Sequence, residues 1–157
     1  MSIEFVIFAP PYNENSGGVI VLHQLCHLLN YLGHNASIFP CSTTRQGFPV
    51  YALYDNSNVM KGIDNEHAFL KAVYQDPAIF TTNPTYKTPL CSVSLSELSK
   101  RDDIVVIYPE NTFGNPLGVK NVTRWLLHNP GFHSKQVFYT EGEVQFRFNE
   151  DYKALNV

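Results

Sequence analysis

Two stretches of this sequence carry residue types that could do chemistry. In the first, Gly17 and Gly18 stand side by side ahead of a run in which Val21, Leu22, Leu25, Leu28, Leu29 and Leu32 recur at helical spacing. Adjacent glycines at a helix start bare their backbone N–H groups, and the helix dipole adds partial positive charge. An anionic group such as phosphate could rest there. The chain has neither Gly-x-Gly-x-x-Gly nor Gly-Lys-Ser/Thr, so it lacks both a dinucleotide fingerprint and a P-loop. The motif alone favours the plainer alternative, a tight turn that lets helix and strand pack closely. In the second stretch, Glu110 follows the β-branched run Ile104-Val105-Val106-Ile107, with Asn111 and Asn115 just after it. A carboxylate there could bind a ligand hydroxyl or act as a base. Equally, it could cap a following helix. The two asparagines could bind ligand hydroxyls or satisfy their own backbone.

Lys120 and Arg124 could meet a phosphate, though such residues are more often the solvated face of a helix. His23 and His27 are four residues apart on one predicted helix face. That spacing can hold a metal, but no third ligand is evident, and a polar flank is the simpler reading. Asp102-Asp103 is no Asp-x-Asp motif, and Glu141-Gly142-Glu143 is only a loose analogue. No metal is expected. Glu141 stays a candidate site carboxylate because it follows a strand-like run. Trp125 reads as core.

These candidates need elements to position them. The run 3–9 reads as a buried strand ended by Pro10-Pro11, and Gly33 follows the first helix where a residue free to take positive φ is wanted. Ala36-Ser37-Ile38-Phe39 restarts as a strand. Strand, glycine turn, helix, strand is a βαβ unit with parallel strands. Residues 41–49 are turn-rich, 50–54 could form a short strand, and 55–64 read as loop. Residues 66–74 have helical spacing, 78–82 look strand-like, and 83–89 are loop. Ser94 and Glu97 have capping-box spacing for a short helix. Residues 104–107 suit a central strand buried on both faces. A loop 111–117 then leads to a predicted helix over 119–128, stopped by Asn129-Pro130-Gly131. Residues 136–139 read as a strand, and Val144, Phe146 and Phe148 alternate as an edge strand. The expected fold is α/β, a single Rossmann-like domain over 1–157 with a mostly parallel sheet and helices on both faces. Ligands in such sheets bind beyond the carboxyl ends of the strands. If both loops lie there, Gly17-Gly18 and residues 110–116 face one crevice.

Composition narrows the partners. The 157 residues are 44% apolar and 13% aromatic, which argues against disorder. A net charge of −3 supplies no global basic field, so no nucleic acid is expected. No apolar run approaches the roughly 20 residues of a membrane span, which allows at most peripheral membrane contact. Cys26, Cys41 and Cys91 are odd in number and widely spaced, which suggests reduced thiols. With no signal peptide visible, the expected setting is cytoplasmic. N-x-S/T sequons at Asn35 and Asn121 fall at a predicted helix–strand junction and inside a predicted helix.

Pro10-Pro11, Gly17-Gly18-Val19, Leu22-His23-Gln24-Leu25 and Leu32-Gly33-His34 together resemble the amino-terminal domain of GT-B-type glycosyltransferases, in particular the retaining family-four enzymes. Tyr108-Pro109-Glu110, Gly114-Asn115-Pro116-Leu117, Lys120-Asn121-Val122-x-Arg124-Trp125-Leu126-Leu127 and Asn129-Pro130-Gly131 resemble a subgroup acting in surface-polysaccharide biosynthesis. The resemblance implies an acceptor-side domain of a transferase. It would move a hexose from a nucleotide sugar, which is donor substrate and not cofactor, to a glycan or lipid-linked acceptor without metal. It also implies that Gly17 and Gly18 lie near the donor diphosphate. Glu110, Asn111, Asn115 and Lys120 complete the candidate substrate-binding set. The family's donor half and its Glu-x7-Glu signature do not occur, so the expectation is a donor-binding partner domain or subunit. Where many members carry a histidine, this chain has Tyr139-Thr140-Glu141. The catalytic group is therefore unassigned, with Glu110 and Glu141 as candidates. Two alternatives are a non-catalytic Rossmann-like protein-interaction module and a stand-alone nucleotide-binding enzyme.

Overall fold

The computed structural model describes residues 2–54, 60–62 and 66–151. The chain opens with strand β1 (Glu4–Ala9), helix α1 (Gly17–Tyr31) and strand β2 (Asn35–Pro40), the βαβ unit expected from its apolar spacing. β1 and β2 pair in parallel from Glu4↔Asn35 to Ala9↔Pro40. Gly33 ends the unit's helix with φ +90°, a conformation that side chains with a Cβ resist. Two small antiparallel hairpins follow: β3 (Thr43–Arg45) with β4 (Phe48–Val50), and β5 (Ala52–Tyr54) with β6 (Met60–Gly62). The first hairpin replaces the loop expected over 41–49. Its turn uses Gln46 and Gly47, both at positive φ, as a two-residue hairpin turn requires. β6 falls inside the loop expected over 55–64, of which 55–59 and 63–64 lie outside the described residues.

Helix α2 (Glu66–Gln75) buries Phe69, Leu70 and Val73. The strand expected over 78–82 is not formed. Asp76 accepts the Ala78 N–H and Pro77 fixes φ, so residues Pro77–Ile79 close a 3-10 turn instead. Helix α3 (Leu95–Leu98) carries the expected Ser94/Glu97 capping box. Strands β7 (Ile104–Pro109), β8 (Asn121–Leu126) and β9 (Val144–Arg147) complete a five-stranded, all-parallel sheet.

β8 corrects the helix expected over 119–128. Val122, Arg124 and Leu126 are buried and alternate with more accessible Thr123 and Trp125, a period of two. β-branched Val119, Val122 and Thr123 favour that geometry, and Gly118 at φ +63° turns the chain into it. Asn121, with its sequon, is therefore the first residue of a strand. Its amide donates to the carbonyls of Asp102 and Ile104. The strand expected over 136–139 is likewise absent: Tyr139 instead points its hydroxyl at the Glu110 carbonyl, 2.7 Å away. β9 is the edge strand that the alternation of Val144 and Phe146 predicts.

The sheet order is β2-β1-β7-β8-β9. In sequence order of its strands this is 2-1-3-4-5, a doubly wound order of the Rossmann-like α/β class. α1 packs on β1 and β2. On the other side Phe8 stacks with Phe39 and meets Tyr108 edge-on, and Phe69 of α2 packs against Tyr51 there. Val6, Ile38, Ile104 and Val106 are fully buried between these layers. No helix among the described residues is long and apolar enough to cross a membrane.

Candidate functional site

In a sheet of this order the chain leaves β1 toward β2 on one side and returns to β7 on the other. The two loops part at that switch point, and a crevice opens beyond the strand ends. The structure has a cavity of about 500 Å³ at this place. Every segment that walls it follows the carboxyl end of a parallel strand: Pro10 and Gly18 after β1, Cys41 and Thr43 after β2, Glu110 and Asn111 after β7, His128 and His133 after β8. A second cavity of about 770 Å³ adjoins it over β1, between Tyr12, Asn13, Ser42 and Thr82.

Gly18 and Glu110 thus share one crevice, with Gly17 beside it as the first residue of α1. The glycines are not there for packing. A Cβ added at Gly17 would meet nothing within 4 Å, and one at Gly18 only the Leu127 side chain at 3.9 Å. Neither glycine has positive φ. The tight-turn alternative is therefore corrected: the fold would accept alanine at both positions.

Glu110 is buried at 5% exposure, and its Oε2 accepts the Leu127 N–H at 3.2 Å. No helix follows for it to cap; it ties the end of β7 to the end of β8 instead. Burial raises its pKa above the usual carboxylate range, opposed by the backbone N–H groups and by the nearby His128 and Arg124. Asn111 lines the same crevice, and its buried Oδ1 has no partner from the described residues. His128 accepts the Asn129 N–H at its Nδ1, which assigns the proton of the neutral ring to Nε2. Its ring stacks on Phe132 at 3.8 Å and meets His133 edge-on at 5.2 Å.

Other candidates lie elsewhere. Asn115 is used within the fold: its Oδ1 accepts from the Tyr108 hydroxyl and the Val119 N–H, and its Nδ2 donates to the Val119 carbonyl. Lys120 sits just before β8 at the opposite, amino edge of the sheet, where it pairs with Asp102 and donates to the Lys100 carbonyl. Glu141 is exposed on a turn outside both cavities. The carboxylate with structural weight is its neighbour Glu143, paired with Arg124.

Arg124 is fully buried, not the solvated helix residue its spacing suggests. Its guanidinium donates twice to Glu143, and to the carbonyls of Thr112 and Gly114 at 2.8 Å each. It lies over the rings of Tyr108 and Tyr139, at 5.0 and 4.6 Å from their centroids. The clamp fixes the loop that presents Glu110 and Asn111. His23 is also buried rather than a polar flank. Its Nε2 is 2.9 Å from the Pro10 carbonyl, and its ring stacks with Phe80. Burial lowers its pKa. His27 accepts the Lys87 N–H and stacks on Tyr86. Among the described residues no group of His, Cys, Asp and Glu is arranged to hold a metal. All three cysteines are buried and free.

His128 and His133 were not legible as site residues. The available signal was the β-branched run 119–123: read as a strand, it would have put His128 just past a carboxyl end. Comparison of this chain with protein-family models, with curated proteins and with solved structures gives no match.

Proposed function

We propose that this chain is the acceptor-side half of a GT-B-type glycosyltransferase, holding a sugar hydroxyl in the switch-point crevice while a donor-binding partner delivers a nucleotide sugar. One observation carries the reading. Gly18, a glycine that the fold does not need, faces the buried carboxylate of Glu110 across the only sheet edge where such folds bind ligands. Bare N–H groups at the start of α1 suit the negative charge that grows on a leaving diphosphate. Glu110 suits the acceptor hydroxyl: a carboxylate whose pKa burial raises toward neutrality is a better base at that pH than an exposed one. Asn111 lines the same crevice. No metal enters this scheme.

The test is a pair of titrations on the whole chain. Calorimetry with UDP-glucose and GDP-mannose should show no tight binding, because the donor half is supplied elsewhere. Amide NMR with glucose, galactose, mannose, rhamnose and N-acetylglucosamine at millimolar concentration should shift Gly18, Asn111 and His128 with at least one of them. Glu110→Gln should weaken that binding by about tenfold, the effect of losing one charged hydrogen bond. Tight nucleotide-sugar binding, or sugars that leave these amides unmoved, would contradict the proposal.

A further inference from the structure

The histidine pair of α1 takes no part in the chemistry proposed above, yet it holds both walls of the larger cavity. Those walls are the segment after β1, residues 10–16, and residues 81–84. His23 reaches the first wall. Its Nε2 is 2.9 Å from the Pro10 carbonyl, which can only accept, so the proton of the neutral ring is on Nε2. It reaches the second wall through Phe80, stacked on its ring at 6.3 Å just ahead of Thr81. Tyr12 meets the same ring edge-on at 5.5 Å and joins the two walls directly, donating its N–H to the Thr81 carbonyl at 2.7 Å. One turn further along α1, His27 Nδ1 accepts the Lys87 N–H at 2.9 Å. Its ring stacks on Tyr86, which meets Tyr12 edge-on.

Both rings make these contacts only while neutral. His23 is 0% exposed, and its Nδ1 is buried with no hydrogen-bond partner. A proton on that atom would bury a donor and a charge with nothing to receive either. His27 needs the lone pair of its Nδ1 for the Lys87 N–H, and a proton there would set two hydrogens against each other. The titratable groups around the pair do not compensate. The segment after β1 brings Tyr12 and, exposed, Glu14. Residues 76–87 bring Tyr86, the exposed Lys87 and the exposed Asp76, whose carboxylate is held by the Ala78 N–H. α1 itself brings Cys26 and Tyr31. Among the described residues neither ring is in an ion pair. We infer that His23 and His27 form an acid-sensitive latch: neutral, they hold residues 10–16 and 80–87 on α1 and keep the larger cavity shaped; protonated, they release both walls. Burial lowers the pKa of His23, opposed only by the Pro10 hydrogen bond. The released form therefore binds more protons than the latched one. The latch is fully closed above the ordinary histidine value of 6.5 and is lost as pH falls below it. None of this depends on a sugar binding in the smaller crevice.

Amide hydrogen exchange of the whole chain between about pH 7 and about pH 5, read as protection relative to the unstructured rate, tests it. Each proton taken up on opening lowers protection by up to about tenfold per pH unit. Tyr12 and residues 80–87 should therefore lose protection by about tenfold or more across this range, while β2 and β7 keep theirs. The double variant His23→Gln with His27→Asn replaces each ring by a neutral amide that can make the same hydrogen bond. It should abolish the pH dependence, whatever its protection at neutral pH. Nitrogen NMR of the imidazole rings reads the protonation itself, and His23 should take up its proton together with the loss of Tyr12 protection. Protection that does not change with pH, an equal loss in the double variant, or a His23 that protonates while Tyr12 stays protected would each overturn the latch. Loss of protection in β2 and β7 at the same pH would also overturn it, since the pair would then act on global stability and not on the cavity walls.

Discussion

Replacing Gly17 and Gly18 by alanine should make the protein more stable and less useful. Both glycines are in the first turn of α1, both have ordinary helical φ, and a Cβ at either position has room. Glycine in a helix interior is about 0.8–1.0 kcal/mol less favourable than alanine, and less at a first turn, so the double replacement should add about 1 kcal/mol. For a domain of this size that is a rise in Tm of about 2–4 °C. The single tryptophan, Trp125, stacks on Phe146 within the sheet and reports unfolding by its fluorescence. Urea denaturation with that signal measures the gain. The functional half of the prediction is read as glycan assembly in cells where the variant is the sole copy. A methyl at Gly18 stands at the mouth of the crevice, where the N–H groups must approach a diphosphate, so assembly should fall about tenfold or more, as expected when oriented donors lose their approach. A destabilised variant would mean that the fold needs these glycines after all. A stabilised variant with undiminished assembly would remove the reason for placing a ligand there.

Three further outcomes follow from the same geometry. Arg124→Met should cost about 3–5 kcal/mol because it strands a buried carboxylate and two buried carbonyls; the exposed pair broken by Lys120→Ala should cost less than about 1 kcal/mol. Adding Glu143→Leu to Arg124→Met should recover part of the loss, and equal costs for Arg124→Met and Lys120→Ala would refute the clamp. Glu110 has a folded-state pKa raised above its unfolded value by burial, so the folded chain keeps this proton to higher pH than the unfolded chain does. Its contribution to stability should therefore fall as pH rises from about 4.3, the unfolded value, through the raised folded one, and then level off. The difference between wild type and Glu110→Gln in urea titrations across that range isolates it, and a difference that does not change with pH would refute it. Burial pushes the Cys26 thiol up to about 12 and raises those of Cys41 and Cys91 as well, so at neutral pH a thiol reagent should label none of the three in the native protein and all three in urea.

What was legible in the sequence is what local patterns determine. β1, α1 and β2 are legible because buried strand, helical leucines and a glycine at positive φ are each written within a few residues. The Ser94/Glu97 cap is legible for the same reason. β8 is not, because Val119, Val122 and Leu126 satisfy a helical spacing as well as their alternation does. The choice is made by parallel pairing with β7, fifteen or so residues away. Arg124 was illegible as a buried residue for a related reason. Its partners are Glu143, nineteen residues on, and two carbonyls of the preceding loop. Sequence spacing sees only a cation near Lys120. The site was half legible: Gly18, Glu110 and Asn111 converge as strand-end residues should, while Lys120 and Asn115 were grouped with them by nearness in sequence, although β8 starts at the far edge.

The misread strand also explains how the site is held. Parallel strands are usually joined by helices, which pack on the sheet and set the strand-end loops. Here residues 110–120 and 127–143 make those connections with no helix. Their place is taken by polar anchors. Tyr108 accepts the Leu117 N–H and donates to Asn115, Asn115 closes the turn on Val119, and Arg124 gathers Thr112, Gly114 and Glu143 onto one guanidinium. Tyr139 then holds the Glu110 carbonyl from the second connection. A helix would spread this work over many apolar contacts. A guanidinium concentrates it, and truncating that one side chain releases both loops at once. Arg124→Met should therefore displace the amides of Asn111 and His128 far more than those of Gly18 or Val19, which α1 holds independently. Uniform displacement across the crevice would instead mean that the two walls move as one body and that the clamp does not set the site's geometry.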